Sequence, residues 1–167
     1  MENNANVEGM VRQALEARGL VYEIMACDPD MADTAAFCAH YGIPVDQSAN
    51  TIVVAARKDP KHYCACLVLA DSRLDVNHTV SRLMDVRRLS FASEQETVAL
   101  TGMMVGGVTL LALPQTWPIY IDSRVMEKEW VIIGGGSRST KIKLNPVELL
   151  KVPNVLVIEG LARLRSD

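Results

Sequence analysis

The sequence lacks the features that mark membrane or secreted proteins. Its 167 residues contain no apolar run as long as the roughly 18 residues that a membrane-spanning helix requires. The first segment, Met1–Asn6, has neither the basic nor the apolar region of a signal peptide. We therefore expect a cytoplasmic protein with no membrane partner, in which the four cysteines are reduced thiols.

An excess of positive charge is also missing. The formal net charge at pH 7 is -3, whereas a general nucleic-acid coat protein collects phosphate contacts through surplus lysine and arginine. A local basic patch is still compatible with this charge, and Arg87 with Arg88 is one candidate. Arg138, Lys141 and Lys143 are the other, although solvated faces explain both groups equally well.

No motif of the common nucleotide-binding folds is present. Gly134 and Gly136 match the start of a dinucleotide-binding turn, but Ser139 stands where the third glycine is needed. A strand pattern also follows where that fold requires a helix, and there is no Walker motif. We therefore predict no nucleotide cofactor, and no cofactor of any other kind.

The residue types that bind metals or act as nucleophiles form no convincing set. His62, Cys64 and Cys66 alternate, so on a strand they would share one face and could begin a zinc site. A fourth ligand is hard to name, and free cysteines are more often simply buried, so we predict no metal. No histidine has the spacing of a Cys–His or Ser–His–Asp set, and the sequence reveals no side-chain nucleophile.

Periodicity and capping residues predict alternating stretches of helix and strand. The helices are expected over residues 7–18 with Asn6 as cap, 34–41 capped by Asp33, 77–84, 94–100 capped by Ser93, and after Asn145. The strands are expected over residues 21–25, 51–56, 63–69, 86–91, 117–122, 131–133, 141–144 and 155–158, followed by a polar tail. Because these elements mix without strict alternation, we expect an α+β (mixed α/β) fold in a single domain over residues 1–167.

Two glycine-rich turns flank the predicted strand 117–122. The first is Gly106-Gly107-Val108-Thr109 and the second is Gly134-Gly135-Gly136-Ser137-Arg138. Consecutive glycines allow positive φ and a close approach of the backbone to another group. Two such turns at the ends of neighbouring strands could offer a row of N–H donors to a ligand. Tight turns or bulges between strands are the simpler interpretation.

The order of these segments resembles a known family. Residues 99–109 are similar to its first glycine signature, and residues 119–122 with 133–146 are similar to its second. The family is the YbaK/prolyl-tRNA-synthetase-associated domain, which contains trans-editing aminoacyl-tRNA deacylases. The resemblance covers nearly the whole chain and is specific in the two glycine blocks.

This resemblance implies a YbaK-like fold, in which helices surround a mixed, curved sheet and both glycine loops bound a pocket. The implied activity is hydrolysis of the ester that joins a wrong amino acid to the 3′-terminal adenosine of tRNA. Such editing is needed because a binding pocket rejects a one-methylene difference by only about 1–3 kcal/mol. The implied partners are the aminoacyl end of tRNA and, as a further candidate, an aminoacyl-tRNA synthetase. The family relies on water and the substrate's own groups more than on a protein nucleophile.

The resemblance also assigns residue roles, with two departures from the family pattern. The expected catalytic residues are Asn50, Gly106 and Gly107, with Asn50 orienting the ester or ribose. The expected substrate-binding residues are Val108, Thr109, Gly134, Gly135, Gly136 and Ser137, together with Arg138 and Lys141 as contacts to tRNA phosphate. Asn50 stands where the family has a lysine, and Leu110 replaces a proline. Since asparagine carries no charge, a non-catalytic homologue that binds tRNA ends or an amino acid is the alternative.

Overall fold

The structure is a computed structural model that describes residues 2–165, and within them it has ten β-strands and four α-helices. The strands are β1 (Glu23–Ala26), β2 (Ala49–Ala56), β3 (Tyr63–Leu69), β4 (Ser72–Leu74), β5 (Leu89–Phe91), β6 (Ile119–Asp122), β7 (Val131–Gly134), β8 (Thr140–Leu144), β9 (Val155–Ile158) and β10 (Ala162–Leu164). The α-helices are α1 (Glu2–Ala17), α2 (Thr34–Tyr41), α3 (Ser81–Met84) and α4 (Glu94–Thr101). The predicted α+β class is confirmed.

The main sheet has five strands in the order β5-β2-β3-β6-β9 and is mixed. β2 pairs antiparallel with both β3 and β5, whereas β6 runs parallel to β3 and to β9. The apolar runs of β2 and β3 explain their central place, because every residue from Cys64 to Leu69 is buried.

A three-stranded antiparallel sheet, in the order β1-β8-β7, packs against the main sheet. Leu67 and Ile121 of the main sheet share one core cluster with Ile133 and Ile142 of the smaller one. A parallel bridge between Ser48 and Ile132 also joins the two sheets. The turn between β7 and β8 therefore lies close to the start of β2.

Two helix termini follow the predicted capping chemistry. Ser93 Oγ accepts a hydrogen bond from the N–H of Glu96 at 3.0 Å, and Glu96 Oε1 accepts one from the N–H of Ser93 at 3.1 Å, so the capping box of α4 is confirmed. α2 ends at Gly42, whose φ of 68° is left-handed.

Several predicted boundaries were wrong. α1 begins at Glu2, so Asn6 lies inside the helix and is not its cap. Asn145 does cap the next helix, but Pro146–Lys151 forms a 3-10 helix. The polar tail contains β10, which pairs with β4 in a separate two-stranded sheet. Strands of three residues are too short to show a period, which is why neither was predicted.

Candidate functional site

A cavity of about 320 Å³ lies along the first half of β2. β5 pairs only with the second half, Val54–Ala56, and on that side β7 reaches the start of the strand only through the bridge between Ser48 and Ile132. The wall of the cavity comes from five other places: the starts of α2 and α4, the first glycine turn with Val105, Gly106 and Val108, the end of β7, and Lys141 of β8.

The two glycine turns meet at this cavity, backbone against backbone. The N–H of Gly136 donates to the carbonyl of Gly107 at 2.6 Å. A Cβ atom on Gly107 would lie less than 3.0 Å from three backbone atoms of Ser137, and one on Gly134 would lie equally close to Val108 and Gly107. Both positions therefore require glycine because another main chain occupies the space of a side chain.

Five of the predicted site residues line the cavity: Asn50, Gly106, Val108, Gly134 and Lys141. The others lie outside its wall: Gly107, Thr109, Gly135, Gly136, Ser137 and Arg138. The side chains of Thr109 and Ser137 are fully buried. Thr109 Oγ1 accepts from the N–H of Leu111, and Ser137 Oγ donates to Glu8 at 2.6 Å. These side chains hold the turns in shape.

The first glycine turn offers main-chain donors. Among residues 2–165, the N–H groups of Gly106 and Val108 donate to no other main-chain group. Gly106 has a φ of 85°, which other residues adopt at a cost. Unengaged N–H groups in a rigid turn can stabilise a carbonyl oxygen that gains negative charge.

Side chains of β2 supply further polar groups. Thr34 Oγ1 donates to Asn50 Oδ1 at 2.6 Å, which leaves the NH₂ of Asn50 as its donor for a ligand. Thr51 Oγ1 is buried and has no partner within the described residues. A buried hydroxyl without a partner is costly in an empty site, so its place in the cavity wall suits a polar ligand.

Lys141 is a buried cation, with 6% of its surface exposed. Its Nζ donates to the carbonyls of Ala32 and Gly106 at 2.8 and 2.6 Å, and lies 5.3 Å from the centre of the Phe37 ring. Burial lowers the pKa of this ammonium below its ordinary value. The expected contact with tRNA phosphate does not fit this position, because the ammonium is engaged inside the protein.

Arg138 is engaged in the same way. Its Nε donates to the carbonyl of Pro29 at 2.9 Å, and its Nη1 donates to the carbonyl of Val105 at 2.9 Å and to Asp33 Oδ1 at 3.1 Å. The guanidinium thus ties the second glycine turn to the first and to the N-terminus of α2. As with Lys141, these bonds inside the protein do not fit the predicted contact of Arg138 with tRNA phosphate.

Sequence reasoning missed the residues that come from helix N-termini. Asp33 and Thr34 at α2, with Glu94 and Thr97 at α4, all line the cavity. Asp33 and Ser93, which occupy the N-cap positions, were signals for the two helix starts, although only Ser93 makes a side-chain capping bond. Nothing local indicates that both starts face one cavity. Their convergence depends on the path of the chain around β2.

The cavity wall contains no histidine and no cysteine. Cys64 and Cys66 are buried within the main sheet, whereas His62 is exposed near the turn before β3. Across residues 2–165, no three His, Cys, Asp or Glu side chains are grouped so as to hold a metal ion. In the same range, no helix combines the length and the apolar character needed to cross a membrane.

The chain is similar to known proteins over most of its length. The family model of the aminoacyl-tRNA editing domain matches residues 28–152, which is most of the chain. The solved structure of a protein described as hypothetical has a TM-score of 0.82 at 25% identity, over 92% of this chain and 99% of that one. A second solved structure, of a candidate trans-editing enzyme for prolyl-tRNA synthetase, has a TM-score of 0.79 at 24% identity, over 96% and 98%. This second likeness shows a shared fold.

Proposed function

The chain belongs to the aminoacyl-tRNA editing domain family, and we propose that it hydrolyses the ester bond of mischarged aminoacyl-tRNA. The observation that carries this proposal is the pair of unengaged N–H groups, on Gly106 and Val108, at the wall of the cavity. A cavity of about 320 Å³ is at the small end of the range for ligand sites. That size suits one amino acid and part of a ribose.

In the proposed reaction, a water molecule attacks the ester carbonyl. The carbonyl oxygen becomes an oxyanion and is stabilised by the N–H groups of Gly106 and Val108. The intermediate then collapses, the bond to the ribose oxygen breaks, and the proton from water ends on that oxygen. Free amino acid and tRNA leave. The absence of histidine and cysteine from the cavity wall agrees with attack by water.

Asn50 and Lys141 have separate parts in this proposal. The NH₂ of Asn50 would hold the ester or a ribose hydroxyl, since its Oδ1 is already bonded to Thr34. The resemblance implies that relatives carry a lysine at the position of Asn50. In this chain Lys141 brings an ammonium to the same cavity from β8, so the cavity keeps a positive charge without a lysine at position 50. Lys141 also fixes the first glycine turn through Gly106.

The alternative is a non-catalytic protein that binds tRNA ends or an amino acid, and the uncharged Asn50 favours it. A panel of mischarged tRNAs, assayed for released amino acid, separates the two. We expect release from at least one member and roughly a tenfold loss of kcat in Asn50→Ala. No release from any member, together with a gain of hydrolysis in Asn50→Lys at unchanged tRNA binding, would establish the alternative.

The proposed substrate also indicates the cellular compartment and a second partner. Charged tRNA is made and used in the cytoplasm, so we assign the protein to that compartment. An aminoacyl-tRNA synthetase that produces the mischarged tRNA is the proposed second partner. Neither assignment requires a cofactor.

A further inference from the structure

A second concave surface lies at the other end of β2. Its volume is about 920 Å³, and Arg57, Lys58, Arg82, Arg87 and Arg88 line it. We call these five residues the basic groove. Asp85 is the single acidic residue in its lining, so the groove is strongly positive on a chain whose net charge is -3.

Most of this positive charge is not engaged within the protein. Arg57 forms an ion pair with Glu96 at 3.0 Å and donates to the carbonyl of Phe91. The other four cations of the groove are exposed, and among residues 2–165 their side chains form no ion pair. Four neighbouring cations that repel one another and have no partner favour an anionic ligand.

The groove and the cavity share one edge of the main sheet. Asn50 lines the cavity and Ala56 lines the groove, and β2 rises about 20 Å between these two residues. Stacked nucleotides of an A-form RNA strand advance about 3 Å each, slightly less than the roughly 3.4 Å of DNA. A strand whose 3′ end lies in the cavity would therefore bring phosphates to the groove after about seven nucleotides.

We propose that the basic groove binds the phosphate backbone of the tRNA acceptor stem while the aminoacyl end of the same tRNA lies in the cavity. This inference rests on the proposed function. The charge of the groove, its lack of internal partners and its distance from the cavity support it. Phosphate contacts of this kind position the RNA and do not read its sequence.

The test measures binding of an uncharged acceptor-stem minihelix, a duplex RNA with a 3′ overhang, by fluorescence anisotropy between 50 and 200 mM salt. In Arg87→Gln/Arg88→Gln we expect roughly tenfold weaker binding and a salt slope smaller by about 2, because each lost phosphate contact lowers the slope by about 1. The control is Arg12→Gln/Arg18→Gln on exposed positions at α1, which removes the same charge. The control should bind like the wild type.

A groove variant that binds like the wild type, or a control that loses as much binding, would overturn the inference. A second pair, Lys58→Gln/Arg82→Gln, guards against misfolding of the first and should reproduce its loss. If anionic lipid vesicles bind through these arginines and the minihelix does not, the groove serves a membrane surface and the inference fails.

The outcome does not depend on hydrolysis, because the minihelix carries no ester. With charged tRNA, the groove variant should have a higher KM and an unchanged kcat. With 3′-aminoacyl-adenosine, which is too short to reach the groove, it should match the wild type. Minihelix binding without any hydrolysis would leave the groove assigned and remove the deacylase proposal, whereas hydrolysis with groove-independent binding would do the reverse.

Discussion

Two groups of cations that look alike in the sequence have opposite situations in the structure. Arg138 and Lys141 beside the cavity donate to four main-chain carbonyls between them. Arg87 and Arg88 in the basic groove are exposed and have no ion pair among the described residues. What separates the groups is the neighbouring backbone. Loops without strand partners surround the first group, so its cations satisfy carbonyls that no N–H reaches.

The comparison shows what basic residues contribute in each region. Near the cavity they cross-link the two glycine turns and the start of α2, and positive charge is part of the folded core. In the groove, Arg87 and Arg88 contribute nothing comparable to the fold and are available to a ligand. Substitutions should therefore affect stability in the first region and binding in the second.

The largest effect is expected where the cavity wall itself is broken. In Gly134→Ala the new Cβ would lie less than 3.0 Å from backbone atoms of Val108 and Gly107, so the two turns must separate. We expect a loss of about 3 kcal/mol in the free energy of unfolding, measured with urea. Gly9→Ala is the control, because its Cβ would meet nothing within 4 Å and should stabilise α1 by up to about 1 kcal/mol. Equal stability of Gly134→Ala and wild type would contradict the packing of the turns.

Removal of the buried cation comes next. Lys141→Met leaves the carbonyls of Ala32 and Gly106 without a donor, and we expect a loss of about 2 kcal/mol near neutral pH. Lys143→Met on the same strand is the control. Its ammonium lies 4.4 Å from the centre of the Trp130 ring, and its loss should cost less than about 1 kcal/mol. If both variants lose the same free energy of unfolding, the distinction between cations that bond to main-chain carbonyls and cations that do not is wrong.

The burial of Lys141 also predicts that the free energy of unfolding depends on pH in the alkaline range. Burial lowers the pKa of Lys141 in the folded state, whereas in the unfolded chain it is near 10.5. Between these values the unfolded state binds more protons, so the free energy of unfolding should rise as the pH increases through this range. Urea titrations at several alkaline pH values should show this rise in the wild type and a smaller one in Lys141→Met. A parallel rise in both proteins would assign it to other groups.

Arg57 of the groove forms an ion pair with Glu96. This pair predicts that the stability of the protein decreases at acid pH. The N–H of Ser93 and the guanidinium of Arg57 hold the pKa of Glu96 at about 2, below the ordinary 4.5. The stabilisation is complete above pH 4.5 and is lost as the pH falls towards 2. Melting temperatures of Glu96→Gln should therefore fall less between these pH values than those of the wild type. An identical decline would show that Glu96 contributes nothing.

The smallest effect is expected in the groove. Arg87→Gln/Arg88→Gln should change the free energy of unfolding by less than about 0.5 kcal/mol, because these side chains are exposed and have no ion pair in the described range. Urea unfolding checks this at neutral pH. A loss comparable to that of Lys141→Met would show that the groove, too, has a structural role.

The sequence predicted those elements whose signals are local. The buried strands β2 and β3 follow from long β-branched or apolar runs, and α4 follows from the capping box of Ser93 and Glu96. β4 and β10 escaped prediction because they depend on each other across the chain. The predicted start of α1 was wrong because the polar residues before Val7 are already part of the helix.

In the candidate site, too, the features with a local sequence signal were predictable and the others were not. The family resemblance implied that the two glycine turns bound one pocket, whereas the glycines alone were equally compatible with separate tight turns. The engagement of Lys141 and Arg138 could not, because it depends on carbonyls of Ala32, Pro29 and Val105 that lie far away in the sequence.

The contact between α1 and the second glycine turn has a consequence for how this cavity can diverge. A side chain on Gly136 would collide with Val7 and Val11, and Ser137 is hydrogen-bonded to Glu8. These helix residues precede the segment 28–152 that matches the family. Substitutions in α1 can therefore shift the second glycine turn, and with it the shape of the cavity, while every residue lining the cavity stays the same. The geometry of the cavity thus depends on a helix that contributes no residue to its wall.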